Sequence, residues 1–255
     1  MLWESIAFGP IRSRRLGNSL GINLLPIVKK ICSFDCVYCE CGWTLDSKMD
    51  TSGFFSLEEV NQAIETKLIQ CQQGKIPIDS ITFSGNGEPT LHPDFLAIVD
   101  NLIRLRDQYY PDAIITCLSN STQLYHDDVR EALMKIENPV LKLDAVTEEL
   151  YQMINAPVQD VKVAQIIEWL KLFRGQFVLQ TLFLSGKIGG VEFDNAKEPH
   201  LSQWIDVVLM LKPQKVMLYS LDRETPAENL TKLSTEEMEK IAQILRDKGI
   251  PTSVY

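Results

Sequence analysis

Six short runs rich in Val, Ile, Leu, Phe and Thr recur along the chain, at 19–25, 80–84, 113–118, 140–143, 177–184 and 215–219, with helical patterns between them. Such runs read as strands. The clearest intervening helix covers 56–73, where Ser56 and Glu59 form a capping box and Leu57, Val60, Ile64, Leu68 and Cys71 share one face. A second capping box, Ser234 with Glu237, opens the last helix, and Gly249 and Pro251 close it. Strands alternating with helices pair in parallel through right-handed crossovers, so six units imply an α/β open barrel or a doubly wound sheet. In both, the chemistry gathers at the carboxyl ends of the strands. No linker, repeat or low-complexity stretch interrupts the pattern, and the expectation is a single domain over 1–255 with an N-terminal arm at 1–18.

Composition narrows the function classes. The chain has 255 residues, 45% of them hydrophobic, and no apolar run near the roughly 20 residues that span a bilayer. Its start lacks a basic leader, so the expectation is a soluble, cytoplasmic protein with no membrane partner. The net charge of -9 gives no basic field for a phosphate backbone; nucleic acid as a partner is left open but is not supported by charge. Six cysteines are too few for a disulfide scaffold, and three of them fall within eight residues.

Those three are Cys32, Cys36 and Cys39, spaced C-x3-C-x2-C in the loop after the first predicted strand. Three thiolates this close suit a soft metal centre, and iron–sulfur clusters are held by cysteine sulfur. The competing reading is structural zinc with Cys41 as fourth ligand. One residue between Cys39 and Cys41 is shorter than the usual two to four of zinc sites. Cys71 and Cys117 lie on apolar patterns and read as core, whereas Cys41 flanks the loop and stays a reactive candidate. His92, His126 and His200 are dispersed near helix starts and read as surface or capping residues.

The cysteine spacing, with Tyr38 as the aromatic residue before the third cysteine, resembles the signature of the radical S-adenosylmethionine (SAM) superfamily. That resemblance implies a partial (βα)6 TIM-like barrel and an iron–sulfur enzyme carrying a [4Fe-4S] cluster on Cys32, Cys36 and Cys39. It implies an open iron that binds SAM, an electron that splits SAM, and a 5′-deoxyadenosyl radical that abstracts hydrogen from a substrate. An electron donor such as flavodoxin or ferredoxin is implied as partner. Tyr38 would lie against the adenine. Ser84, Gly85, Gly87 and Glu88, in Ser84-Gly85-Asn86-Gly87-Glu88-Pro89, are similar to the segment that holds the methionyl ammonium, a role a carboxylate suits; read alone, the segment is a turn into the next helix. Asn120 and Asp144, at the ends of the third and fourth strands, would serve the SAM ribose and carboxylate, or act as ordinary turn residues. The stretch 186–192 looks like a shortened adenine-side glycine segment ending in Glu192, and backbone around Tyr219 would complete the adenine pocket.

The arm Gly9-Pro10-Ile11-Arg12-Ser13-Arg14-Arg15-Leu16, together with 220–226, looks like that of iron–sulfur oxidoreductases related to wyosine synthases. Two alternatives to a small-molecule enzyme stay open: an activase that installs a glycyl radical on a partner protein, and a transfer-RNA base-modifying enzyme. Arg12, Arg14 and Arg15 stand out in an acidic chain and are candidate contacts to an anionic substrate group, provided the arm folds back across the barrel mouth.

Overall fold

The computed structural model describes residues 2–44 and 53–255, which divide into two compact units. The first comprises Met1–Cys32, Thr44–Ser119 and Gln123–Pro139; the second comprises Ser33–Trp43, Asn120–Thr122 and Val140–Tyr255.

In the first unit β1 (Ala7–Ser13) runs antiparallel to β2 (Gly17–Ile22). The helix α1 (Leu57–Gln73) follows, then β3 (Ser80–Phe83), α2 (Phe95–Tyr109), β4 (Ile114–Ser119) and α3 (Asp127–Lys135). The strands β2, β3 and β4 pair in parallel. The predicted capping box at α1 is present: Ser56 Oγ accepts from the Glu59 amide, and the Glu59 carboxylate accepts from the Ser56 amide at 2.7 Å. Val60, Ile64, Leu68 and Cys71 are its buried stripe, each aliphatic side chain contributing roughly 1.5–3 kcal/mol by leaving water. At the far end of α2, Arg106 donates to the Ala113 carbonyl at 2.8 Å and to Glu137 at 2.9 Å, while Glu137 accepts from the Ile115 amide at 3.0 Å. This clamp fixes the turn from α2 into β4.

The second unit takes in the cysteine loop and β5 (Asn138–Lys142) from Val140 onward, and continues through α4 (Glu148–Asn155), α5 (Val163–Lys171) and β6 (Val178–Leu182). A hairpin of β7 (Leu184–Ile188) and β8 (Val191–Asp194) precedes α6 (His200–Leu211) and β9 (Lys215–Tyr219). The chain finishes with β10 (Leu230–Lys232), α7 (Thr235–Asp247) and β11 (Thr252–Val254). Here β5, β6, β9 and β11 pair in parallel, while β10, β7 and β8 form a separate antiparallel sheet.

All six predicted strands therefore form, within two residues at most boundaries. The arm supplies β1, whose pairing with β2 keeps the arginine-bearing turn next to the start of β2. The stretch 186–192, expected as a glycine segment, falls in the hairpin of β7 and β8. Gly189 and Gly190 adopt φ of 58° and 86°, the left-handed geometry of a two-residue hairpin turn, and Glu192 points to solvent. Among the described residues no helix is long and apolar enough to cross a membrane.

Candidate functional site

In the first unit the segment after β3 is tied to the backbone that leads into Cys32. The Ile31 amide donates to the Asn86 carbonyl at 2.9 Å, and the Glu88 amide donates to the Ile31 carbonyl at 3.1 Å. A side chain at Gly87, where φ is 139°, would put its Cβ 1.7 Å from the Ile31 oxygen; one at Gly85 would strike Asn23 Oδ1 at 2.3 Å. The glycines thus admit the protein's own backbone and side chains. Asn86 is buried, and its side chain donates to the Trp3 and Pro26 carbonyls at 2.9 Å each. Glu88 is buried as well and caps the short turn Pro89–Leu91, accepting from the Thr90 amide at 3.1 Å and the Thr90 hydroxyl at 2.5 Å. A turn role and an ammonium-binding role are compatible, since a carboxylate has about four acceptor positions. Ser84 donates its amide to the Ile22 carbonyl at 3.0 Å, the last bond before the chain leaves the sheet.

The second unit holds Cys36 and Cys39 beside a polar network buried behind their loop. The Tyr38 hydroxyl donates to Asp144 Oδ2 and accepts from the Lys142 ammonium at 2.8 Å; that ammonium also lies 4.9 Å from the centre of the Tyr38 ring. Asp144 is buried, its Oδ1 accepting from the Leu182 amide at 2.9 Å and its Oδ2 also from Asn155 Nδ2 at 2.8 Å. Asn155 Nδ2 reaches the Cys36 sulfur at 3.5 Å too. Asn120 is spent on the loop's other flank, donating to Ser33 Oγ at 2.9 Å and accepting from the Thr122 amide at 3.0 Å. Tyr219 ends β9, its carbonyl accepting from the Phe183 amide at 2.9 Å.

The electrostatics follow from burial. Burial pushes the Cys36 thiol up, the Lys142 charge pulls it down, Cys39 and Asp144 raise it, and the Asn155 hydrogen bond lowers it. Tyr38 titrates well above the ordinary tyrosine range, first through burial and then through Asp144, Cys36 and Tyr219. For Lys142 burial disfavours the charge, but the anionic forms of Tyr219, Asp144, Cys36 and Cys39 outweigh it and hold the ammonium protonated. The side chains of Lys142 and Asn155 thus belong with Tyr38 and Asp144, and neither was among the residues expected from sequence. The visible signal was a lysine in the otherwise apolar run Val140-Leu141-Lys142-Leu143; Asn155 carries none, because its partner Cys36 lies 119 residues away.

Within the first unit, Arg12, Arg14 and Arg15 lie away from the Glu88 segment. They lie at the amino ends of β2 and β3, beside Asp79, whereas the segment carrying Glu88 leaves the carboxyl end of β3. Cys71 and Cys117 are buried core residues, and Cys41 is partly exposed. Among the described residues no three His, Cys, Asp or Glu side chains gather tightly enough for a single metal ion. Zinc would need its sulfurs roughly 2.3 Å from one point. A four-iron cluster asks less, because each thiolate binds a different iron. Cys32, Cys36 and Cys39 would supply that donor set; at Cys36 the Asn155 amide hydrogen bond and the Lys142 charge oppose the burial that raises the thiol.

A thiol-rich loop after the first parallel strand and a carboxylate-bearing glycine segment after the second mark a cluster-binding α/β protein. The family model described as the Radical SAM superfamily matches residues 27–186. The chain belongs to the radical SAM superfamily, and with it to proteins that carry a [4Fe-4S] cluster and use SAM. It is 32% identical over 247 residues to a UPF0026 protein of Methanocaldococcus jannaschii, covering 95% of this chain and 72% of that one. It is also 32% identical over 237 residues to a protein named GTPase Obg in Brachyspira hyodysenteriae, covering 91% of this chain; it spans only 32% of that relative's length. The crystal structure of Streptococcus suis SuiB bound to S-adenosylmethionine shares the fold at TM-score 0.64 and 15% identity, over 93% of this chain and 52% of SuiB. The fold class is accordingly the mostly parallel α/β partial barrel of this superfamily, as the resemblance implied where the strand pattern alone left a doubly wound sheet open.

Proposed function

We propose that the protein is an enzyme that splits SAM reductively and uses the resulting 5′-deoxyadenosyl radical to take a hydrogen atom from a substrate. The observation that carries this reading is the linked set of buried Tyr38, Asp144 and Asn155 with half-buried Lys142 behind the cysteine loop, a polar cluster that an inert α/β core would not retain. When bound, the cluster supplies the electron that breaks the S–C5′ bond of SAM, leaving methionine and the radical. Cys32, Cys36 and Cys39 hold the cluster, and Asn155 orients the Cys36 sulfur. Glu88 takes the methionyl ammonium. Asp144 and Asn120 fix the loop from behind, and they and the backbone at Tyr219 line the side where ribose and adenine rest. The Tyr38 hydroxyl is committed to Asp144 and Lys142, so its ring is what remains to face adenine. A small reduced protein of the flavodoxin or ferredoxin kind is the electron donor.

The test is to purify the protein without oxygen, measure iron and sulfide, and incubate it with SAM and dithionite. About four irons per chain and slow release of 5′-deoxyadenosine and methionine are expected. Replacing Cys32, Cys36 or Cys39 by Ala should abolish the charge-transfer absorbance, while replacing Cys41, Cys71 or Cys117 should leave it. Stoichiometric zinc without iron sinks the reading. With candidate substrates, deuterium transferred into 5′-deoxyadenosine identifies the one that reacts.

A further inference from the structure

The turn joining β1 to β2 carries a feature the SAM chemistry does not use. Arg12, Ser13, Arg14, Arg15, Gly17, Asn18 and Asp79 line a cavity of about 720 Å³ at the amino ends of β2 and β3. From Asp79 to Gly85 is six residue steps of extended chain, roughly 20 Å, so this cavity lies at the opposite end of β3 from the Glu88 segment. The cavity wall holds three guanidinium groups and one carboxylate in a chain of net charge -9.

The wall is also shaped by the backbone. Asp79 Oδ2 accepts from the Asn18 amide at 2.7 Å and from Asn18 Nδ2 at 3.0 Å, which pins the hairpin to the start of β3. The Ser13 hydroxyl accepts from the Arg15 and Leu16 amides at 3.2 Å each, which fixes the turn. Gly17 has φ of 70°, and a Cβ there would sit 2.5 Å from Asp79 Oδ2, so the tight approach requires glycine. Arg14 and Arg15 therefore lie in a held turn, and Arg12 at the end of the strand that enters it.

We infer that this cavity is a second ligand site, taking the phosphoryl group of a small phosphorylated molecule. Guanidinium presents a planar fork of donors that matches phosphate oxygens in pairs, and it stays charged at every physiological pH. The cavity is open to solvent, and its volume has room for a whole small molecule around its phosphoryl group. A long polyanion is disfavoured, because the rest of the chain is acidic and would repel it. This site is independent of the SAM reading, since none of its residues belongs to the cysteine loop or the Glu88 segment.

The probes are inorganic phosphate and pyrophosphate, followed by titration calorimetry on the protein carrying its cluster. Saturable one-to-one binding of pyrophosphate is expected, tighter than that of phosphate. The double replacement Arg12→Gln with Arg14→Gln should weaken it at least roughly tenfold, the scale of losing charge-assisted hydrogen bonds. Both side chains are exposed, and each single replacement is read beside the double, so a fold defect in the double does not decide the result. SAM affinity in the same variants should stay within about twofold. The inference is overturned by wild-type protein that shows no saturation at about 10 mM pyrophosphate, or by variants that bind it as tightly as wild type. It is equally overturned by parallel loss of SAM affinity, or by a short single-stranded RNA that binds tighter than pyrophosphate through the same arginines.

Discussion

The ammonium of Lys142 sits 2.8 Å from the hydroxyl of Tyr38, and that hydroxyl in turn donates to Asp144, so one cation serves two neighbouring acids. Removing it leaves Asp144 and the cysteine loop without their positive neighbour. Lys142→Met should cost roughly 1–3 kcal/mol of unfolding free energy, less than for a sealed ion pair because the lysine is partly exposed. It should also reduce iron retention. Lys142→Arg should recover much of both. Chemical denaturation and iron analysis check this, and unchanged stability in the Met variant refutes it.

Gly87→Ala should be among the most damaging single substitutions in the first unit. Its Cβ would need the space of the Ile31 carbonyl, and its φ of 139° suits only glycine. A loss of at least roughly 2–3 kcal/mol and poor cluster incorporation are expected. Gly189→Ala is the control: nothing lies within 4 Å of its Cβ, so only the left-handed backbone is strained, about 1–2 kcal/mol. Equal effects from the two would refute the steric account.

Glu88→Gln keeps the shape of the side chain and removes its charge. The Thr90 bonds survive in a carboxamide, whose oxygen still accepts, so melting temperature should change little. SAM affinity should fall roughly 10- to 150-fold, the loss expected for one charge-assisted hydrogen bond. Equilibrium dialysis with labelled SAM measures it; unaltered affinity confines Glu88 to its turn.

His92 makes stability depend on acid. Its Nε2 contacts the Phe55 carbonyl at 2.8 Å and its Nδ1 accepts from the Asp94 amide at 3.1 Å, a pairing that only the neutral ring satisfies. Burial lowers its pKa below the ordinary histidine value, against the opposing pull of the Phe55 carbonyl and Asp94. With the folded value depressed, the unfolded chain binds the proton more readily. The stabilisation is complete above about pH 6.5 and is lost as pH falls through the lower folded value. Denaturation midpoints at pH 7.5 and 5.5 should therefore diverge more in wild type than in His92→Asn. Parallel lines for the two proteins would exclude His92 as the cause.

Six of the seven parallel strands were legible because each is a short β-branched or aromatic run bounded by turn residues, and α1 because its capping box and apolar stripe are local; the three-residue β11 was too short to read. The strand β1 was not, since Gly9-Pro10 breaks its alternation and four of its seven residues are polar or glycine or proline. The Gly189-Gly190 pair was visible but open to two meanings. Glycines at a hairpin turn and glycines beside a ligand look alike until the flanking strands pair. Glu88 and the cysteines announced themselves by spacing. Lys142 and Asn155 acquire their meaning from Tyr38 and Cys36, more than 100 residues distant, which no local pattern encodes.

The paired main-chain bonds between Ile31 and the Asn86–Glu88 turn make two distant stretches of sequence one interchangeable part. Anyone building chimaeras from related barrels would have to exchange 23–32 and 84–90 together, as a matched cassette. A donor loop with a bulkier residue at position 87, or a differently placed carbonyl at position 31, would leave the cysteine loop starting from the wrong place while every cysteine was still present.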